Sequence, residues 1–342
     1  LNRDNSEGPN SVVVRRLTKV YGGVKAIDNV SFRIGKGEVV GFLGPNGAGK
    51  STTMRIISGL MPATSGSVNI CGESVAINPD AARKHIGFMP ENNPLPEDLR
   101  VREYLTFRAG IKGVPRSEIR ARVDESMDIC QLLRKASNKI IGNLSKGFRQ
   151  RVGIADAILS RPEVIIMDEP TIGLDPHQIL AIRALINSLR GKMSVIISSH
   201  ILPEIELMCD RVMIINQGTI VASGSSESLR KEFISREKYG ISLRADPSKM
   251  REMLGRICSG VEIVSESKPD SAGYYDYILS TDENSDLGCT LIREFSKDSA
   301  FGLREVYHKK PSLEEIFMAA TRRSWEQTSE LPDTVDKNRI RK

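Results

Sequence analysis

Gly44-Pro45-Asn46-Gly47-Ala48-Gly49-Lys50-Ser51-Thr52 is the segment that decides how the rest of the chain is read. It satisfies the pattern G-x-x-x-x-G-K-[ST]. In that pattern the glycines let consecutive backbone N–H groups turn inward on an anion, and the helix that follows adds the positive end of its dipole. The flanks agree with it. Glu38-Val39-Val40-Gly41-Phe42-Leu43 is a short apolar run of strand type, and the stretch after the loop places Met54, Ile57 and Leu60 at helical spacing. A glycine turn that happens to precede a lysine would explain the loop but not its surroundings. Residues 44–52 are therefore expected to cradle the phosphates of a nucleotide. Lys50 would reach the β- and γ-phosphates, and the Ser51 hydroxyl would ligate Mg²⁺.

A phosphate loop alone says only that a nucleotide binds, so the reaction must be read from its companions. Val164-Ile165-Ile166-Met167-Asp168-Glu169 is an apolar strand that delivers two carboxylates at its C-terminal edge, where open α/β sheets bind ligands. Asp168 suits coordination of Mg²⁺, and Glu169 is placed to polarise the water that attacks a γ-phosphate. Paired acids at a strand end often cap a helix instead, but Pro170 follows at once and no helix begins there.

Around these two segments the pattern is that of an α/β protein. Strands are expected at 11–20, closed by Tyr21-Gly22-Gly23, and at 29–34, where Val30, Phe32 and Ile34 alternate with polar residues. Both read as antiparallel and half exposed. Further strands are expected at 67–71 and 86–89. Helical spacing then governs 103–111, 117–133 and 147–159. Residues 176–189 read as a helix capped by Asp175, between apolar strands at 164–167 and 194–197. Strand, helix and strand with β-branched interiors argue for a parallel sheet. Strands at 211–215 and 219–222 close this part. Beyond about 235 the order is β-α-β-β-α-β (241–245, 247–258, 261–264, 274–280, 285–295, 303–307), followed by a helix at 312–320. That order matches a ferredoxin-like plan.

The bulk numbers exclude some classes. With 342 residues there is room for one large domain and a smaller one. The net charge is +6, but 49 basic against 43 acidic residues make a mixed surface, a weak argument for nucleic acid or anionic membrane. The five cysteines, Cys71, Cys130, Cys209, Cys258 and Cys289, are scattered without a C-x-x-C pair, which suggests reduced thiols rather than a disulfide framework or a zinc site. No apolar run approaches the ~18 residues that span a bilayer, and the polar N-terminus lacks the apolar core of a signal peptide. The expectation is a soluble, cytoplasmic chain whose membrane role, if any, comes through a partner.

With these elements in place, the chain is identified as resembling the ATP-binding cassette (ABC) proteins. Leu144-Ser145-Lys146-Gly147-Phe148-Arg149-Gln150 resembles their signature motif, Ile172-Gly173-Leu174-Asp175 their D-loop, and Ser199-His200 their switch histidine. Tyr21 stands where the family places an aromatic that stacks on adenine, although an aromatic before Gly-Gly could equally be a core or turn residue. The resemblance covers roughly residues 12–235. It implies a P-loop core with an antiparallel β subdomain and a helical subdomain at about 92–160, in a nucleotide-binding domain of residues 11–235. A C-terminal α/β domain would span 240–321, with a disordered leader at 1–10 and a disordered tail at 322–342. ATP and Mg²⁺ are the implied ligands. Ser145 and the Gly147 N–H would form a second anion site that closes on ATP held by an opposite subunit. The partner is then a second copy or a like subunit. His200 would hydrogen-bond the γ-phosphate, with Lys50 and Glu169 as its catalytic companions.

Two departures stand out. Lys146 replaces the more usual glycine, while Gly147 is kept. Glu91 stands where the family carries glutamine, offering Mg²⁺ a full charge but no amide donor. The phrases Gly-Phe-Met-Pro-Glu-Asn-Asn-Pro-Leu and Leu-Ser-Lys-Gly-Phe-Arg-Gln-Arg-Val-Gly resemble the ATPases of ABC-2 type exporters, nearest to the gliding-motility-associated subgroup, as does the ending Ser312-Leu313-Glu314-Glu315-Ile316-Phe317. This implies an ATPase subunit, peripheral on the inner face of the membrane, that drives an ABC-2 type permease. The alternative is a soluble cassette protein acting on nucleic acid or ribosomes. Such proteins usually carry two cassettes or a coiled-coil insertion, and no basic run interleaved with aromatics appears here, so no nucleic-acid partner is expected. A kinase would leave the signature, D-loop and His200 without roles.

Overall fold

Alternating inward residues build the first hairpin. In β1 (Asn10–Tyr21) Val12, Val14 and Leu17 face the core, and in β2 (Val24–Gly35) Ile27, Val30, Phe32 and Ile34 do the same. The second strand begins five residues earlier than its alternation indicates. Gly22 and Gly23 both adopt positive φ (51° and 86°), so the turn closes in two residues and pairs Tyr21 with Val24. The computed structural model describes residues 10–329 except 235, 258–259, 283–286 and 299, and for 323–329 only the backbone. Of the leader expected at 1–10, Asn10 begins β1 and the rest lies outside the described residues, as does the end of the tail.

The chain continues through β3 (Val39–Leu43), α1 (Lys50–Ile57), β4 (Ser65–Ile70), β5 (Glu73–Ser74), α2 (Pro79–Lys84) and β6 (Ile86–Met89). Three helices follow, α3 (Val101–Ile111), α4 (Ile119–Ile129) and α5 (Lys146–Ile158). Next come β7 (Val164–Asp168), α6 (Pro176–Leu189), β8 (Ser194–Ser199), α7 (Leu202–Met208), β9 (Arg211–Asn216) and β10 (Thr219–Gly224). These elements make two sheets. One is antiparallel, in the order β2-β1-β4-β5; the other has the order β10-β9-β3-β8-β7-β6 and is parallel from β9 to β6. A shared core joins their strands. Val12, Leu17, Phe32 and Ile70 from the first sheet belong to one buried cluster with Val40, Phe42, Ile166 and Ile196 from the second, and the Phe32 and Phe42 rings lie 5.9 Å apart.

β3 occupies the centre, with β8 on one side and β9 on the other. All five of its residues are buried, as a strand flanked on both edges and covered on both faces requires. Two polar side chains, one of them buried, fix its entry. The Gly37 N–H donates to Ser194 Oγ at 2.9 Å, and the Val39 N–H donates to Asp210 Oδ2 at 2.9 Å across 171 residues of chain. The helices α3 and α5 are joined by Arg108, whose Nε and Nη2 each donate to the Asp156 carboxylate at 3.0 Å, and the Lys112 ammonium adds a bond to the Asp156 carbonyl.

The described chain divides into two compact units, one ending at Ser226 and a second over Glu227–Ala319, with the chain from Ala320 counted in the first. After α8 (Ser226–Phe233) come β11 (Glu237–Arg244), α9 (Pro247–Ile257), β12 (Glu262–Glu266), β13 (Tyr275–Thr281), α10 (Leu287–Phe295) and β14 (Gly302–Lys309). The sheet order β12-β13-β11-β14 is antiparallel throughout, the ferredoxin-like arrangement. Tyr239, Ile241 and Leu243 of β11 pack with Met250, Leu254, Leu291 and Phe295 of the two helices. The last helix, α11 (Leu313–Ser329), runs well past the position where its apolar spacing fades. Residues 322–329 are thus helical rather than tail.

Candidate nucleotide site

The loop between β3 and α1 carries the site's first half. Gly49 is the N-cap of α1 in the left-handed region (φ 106°), and a Cβ there would meet the Ala26 carbonyl at 2.7 Å. Both the backbone conformation and the space exclude other side chains. Gly47 also has positive φ (80°). Lys50, almost fully buried, donates from Nζ to the carbonyls of Gly44 at 2.7 Å and Pro45 at 3.3 Å, so its ammonium is held over the loop. The loop and two carboxylates share one cleft of about 370 Å³. Its lining includes Pro45, Asn46, Gly47, Gly49, Lys50, Ser51, Thr52, Glu91, Glu169 and His200, together with Ala26 and Ile172. Gly44 and Ala48 sit behind it; a Cβ on Gly44 would meet the Ile215 carbonyl at 2.4 Å. A larger cleft of about 720 Å³ around Lys112 and Arg122 contains neither the glycine loop nor the acidic pair.

The acids arrive from β7, whose end lies beside β8 with Asp168 in register with Ser198. The fully buried Ser198 hydroxyl donates to Asp168 Oδ1 at 2.5 Å and accepts from the Glu169 N–H at 3.0 Å. One side chain thus sets two neighbouring acids. Ser51 Oγ lies 3.4 Å from the same Asp168 oxygen, which brings the loop and the acidic strand into contact. Glu169 has φ 51°, a left-handed backbone uncommon outside glycine, and Pro170 follows it. The strained residue is held on both sides, its N–H by Ser198 and its carbonyl by the Ile172 N–H at 3.3 Å. His200 is half exposed, and its Nδ1 lies 2.9 Å from Glu169 Oε2. A carboxylate can only accept, so Nδ1 carries the hydrogen and Nε2 is left to face a ligand.

Asp168 does not itself line the cleft but reaches it through Ser51, and Tyr21, Ser145 and Gly147 lie outside it. Ser145 is the exposed N-cap of α5, and its hydroxyl makes no capping bond. Gly147 is buried in the first turn of that helix, close against Gln178; a Cβ there would meet Gln178 Oε1 at 2.6 Å. Lys146 lies near the D-loop, with Nζ 2.4 Å from where a Cβ on Gly173 would stand. Tyr21 ends β1, the residue 45% exposed and its hydroxyl donating to Met61 Sδ at 2.7 Å. Sequence reasoning missed Ser198 and Ala26, and named Ile172 in the D-loop without placing it in the cleft. Ser198 had a signal, as a polar residue closing an apolar strand expected to lie beside the acidic one.

A parallel sheet with a glycine loop at the end of its central strand and an acidic pair two strands away defines a P-loop nucleoside triphosphatase core. The family profile described as ABC transporter matches residues 27–172. The Nod factor export ATP-binding protein I of Rhizobium etli is 31% identical over 313 residues, 91% of this chain and 93% of that protein. The bacitracin transport ATP-binding protein BcrA of Bacillus licheniformis is 40% identical over 217 residues, 63% of this chain and 70% of that one. Among solved structures, a dimeric post-hydrolysis state of the ATP-binding cassette MJ0796 bound to ADP and Pi is similar, with 28% identity and a TM-score of 0.57, covering 63% of this chain and 98% of that one. The chain belongs to the ABC transporter ATP-binding family and is an ATPase of that family. Among the described residues no helix is long and apolar enough to cross a membrane.

Proposed function

We propose that this chain is the energy-supplying subunit of an exporter, closing on ATP as a pair of cassettes and driving a separate ABC-2 type permease at the inner face of the membrane. The observation that carries the reading is a division within one chain. The phosphate loop, Glu91, Glu169 and His200 share a cleft, whereas Ser145 and Gly147 open a helix outside it. A helix N-terminus with an uncommitted serine hydroxyl suits an anion, and in a head-to-tail pair it would meet the ATP held by the other copy. The export and transport named for the relatives above support the exporter class. On this reading the first unit is the nucleotide-binding domain and the second an accessory domain.

In this site residues 44–52 wrap the phosphates, Lys50 neutralises β- and γ-oxygens, and Tyr21 offers a face to adenine. Ser51 and Glu91 line the cleft and Asp168 lies 3.4 Å from Ser51 Oγ; all three are oxygen donors, which fit Mg²⁺. The ion would supply positive charge against the phosphate oxygens. Glu169 accepts a proton from the attacking water, and His200, oriented by Glu169 through Nδ1, turns Nε2 toward the γ-phosphate, to which it donates when both ring nitrogens carry hydrogen. The test is a pull-down from membranes using Glu169→Gln loaded with ATP. Co-purification of a polytopic membrane protein is the expected result. Recovery of nucleic acid in a salt-sensitive complex, without a membrane partner, would overturn the exporter assignment in favour of a soluble cassette protein.

A further inference from the structure

Three residues remote in sequence converge at the end of the six-stranded sheet opposite the phosphate loop. Glu163 directly precedes β7, His85 directly precedes β6, and Cys71 directly follows β4. One donor atom from each, a thiol sulfur, an imidazole nitrogen and a carboxylate oxygen, lie within 4.8 Å of one another. His85 Nδ1 is 2.9 Å from Glu163 Oε2. Each residue is tied down by its backbone. The Cys71 N–H donates to the Ser11 carbonyl at 2.8 Å, the His85 carbonyl accepts from Val164 at 3.0 Å, and the Glu163 carbonyl accepts from Ser194 at 2.8 Å. Among the described residues this is the one such group of three His, Cys, Asp or Glu donors.

We propose that Cys71, His85 and Glu163 form a zinc site, independent of the nucleotide cleft. Sulfur, nitrogen and oxygen donors together suit a borderline-soft ion and not Mg²⁺ or Ca²⁺. Bonds of about 2.0–2.3 Å in a tetrahedron put neighbouring donors roughly 3.3–3.8 Å apart, so the present spacing closes with side-chain shifts of about 1 Å. Three protein ligands leave a fourth position for water. A surface ion pair would account for His85 and Glu163 but leaves the half-buried thiol beside them without a role. The site is remote from the acids of the cleft, since the five residues of β7 span about 17 Å at ~3.3 Å each. A metal there staples the antiparallel sheet to the starts of the two strands that lead to Glu91 and Glu169.

The test is a Co²⁺ titration of the full-length, chelator-stripped protein, followed by Zn²⁺. One cobalt per chain with thiolate-to-metal charge-transfer absorption is expected, and Zn²⁺ should displace it. Cys71→Ser should abolish the absorption, and Glu163→Gln should weaken cobalt affinity at least tenfold while ATP affinity stays unchanged. Absence of thiolate absorption in the wild type, or its persistence in Cys71→Ser, would overturn the site. Should Cys71→Ser fail to fold, His85→Ala and Glu163→Gln carry the same test, and unchanged cobalt affinity in both refutes it.

Discussion

Ser198→Ala is the sharpest test of how the acids are held. The change removes one oxygen from a fully buried position, so it leaves almost no cavity. It deletes the 2.5 Å bond to Asp168 Oδ1 and the 3.0 Å bond from the Glu169 N–H. A hydrogen bond to a charged group contributes about 1.5–3 kcal/mol. The Glu169 N–H keeps a bond to the Ser198 carbonyl at 3.2 Å, so its loss is partial and the total should be about 2–3 kcal/mol. For a unit of this size each kcal/mol lowers the unfolding midpoint by about 2–4 °C, which gives roughly 4–12 °C. The left-handed backbone at Glu169 is then less well held, and ATP turnover should fall at least tenfold, with nucleotide affinity changed much less. Thermal unfolding by circular dichroism and steady-state phosphate release measure the two effects. A midpoint within 1 °C of wild type together with unchanged turnover would refute the argument that Ser198 holds the acidic pair.

Other perturbations probe separate links. Glu169→Gln should retain ATP, lose hydrolysis by at least a hundredfold and accumulate a dimer on gel filtration, and near-normal turnover would remove Glu169 as the base. Lys50→Ala should weaken ATP binding at least tenfold by equilibrium titration; unchanged affinity would undo the phosphate-loop assignment. At Gly41 a Cβ would lie 2.4 Å from Ile205 Cγ2 and 3.2 Å from Cys209 Sγ, so Gly41→Ala should cost about 1–3 kcal/mol in denaturant unfolding. Burial raises the thiols of Cys130 and Cys209 well above the ordinary value of 9.0. Both should resist alkylation at pH 8 in the folded protein, as read by peptide mass spectrometry. Stability should fall as pH rises past 9, where only the unfolded chain ionises these thiols.

The sequence carried the parts of the fold that rest on strong periodicity or specific caps. Residues 176–189 form α6 as read, with the Asp175 carboxylate accepting from the Gln178 N–H at 2.9 Å, because an N-cap followed by proline leaves the start little freedom. The helices α2 and α7 escaped notice because six or seven residues complete too few turns to display a face. Residues 117–133 overran α4, which stops at Ile129, before Gln131 turns left-handed (φ 55°). Within the site, motif spacing pointed to Lys50, Ser51, Asp168 and Glu169, and the family resemblance to His200. Neither could reveal that Glu169 is left-handed or that Ser198 bridges both acids, since each depends on two strands meeting in register. Tyr21 was located at the end of its strand, but its hydroxyl reaches Met61, a contact that no local pattern encodes.

The central place of β3 has a consequence for how the protein is made. Its neighbours β8 and β9 are synthesised long after it, and the polar bond that secures Val39 waits for Asp210, 171 residues downstream. At translation rates of about 5–20 residues per second, the strand before the phosphate loop spends roughly 8–31 s without a partner on either edge, until Val195 of β8 can pair with Val39. A nascent or truncated chain that stops short of β8 has the loop and its internal bonds, but neither strand that flanks β3 nor the Ser198 that positions the acids. A complete nucleotide site is thus a property of the finished sheet, and an interrupted chain lacks the part that β8 secures.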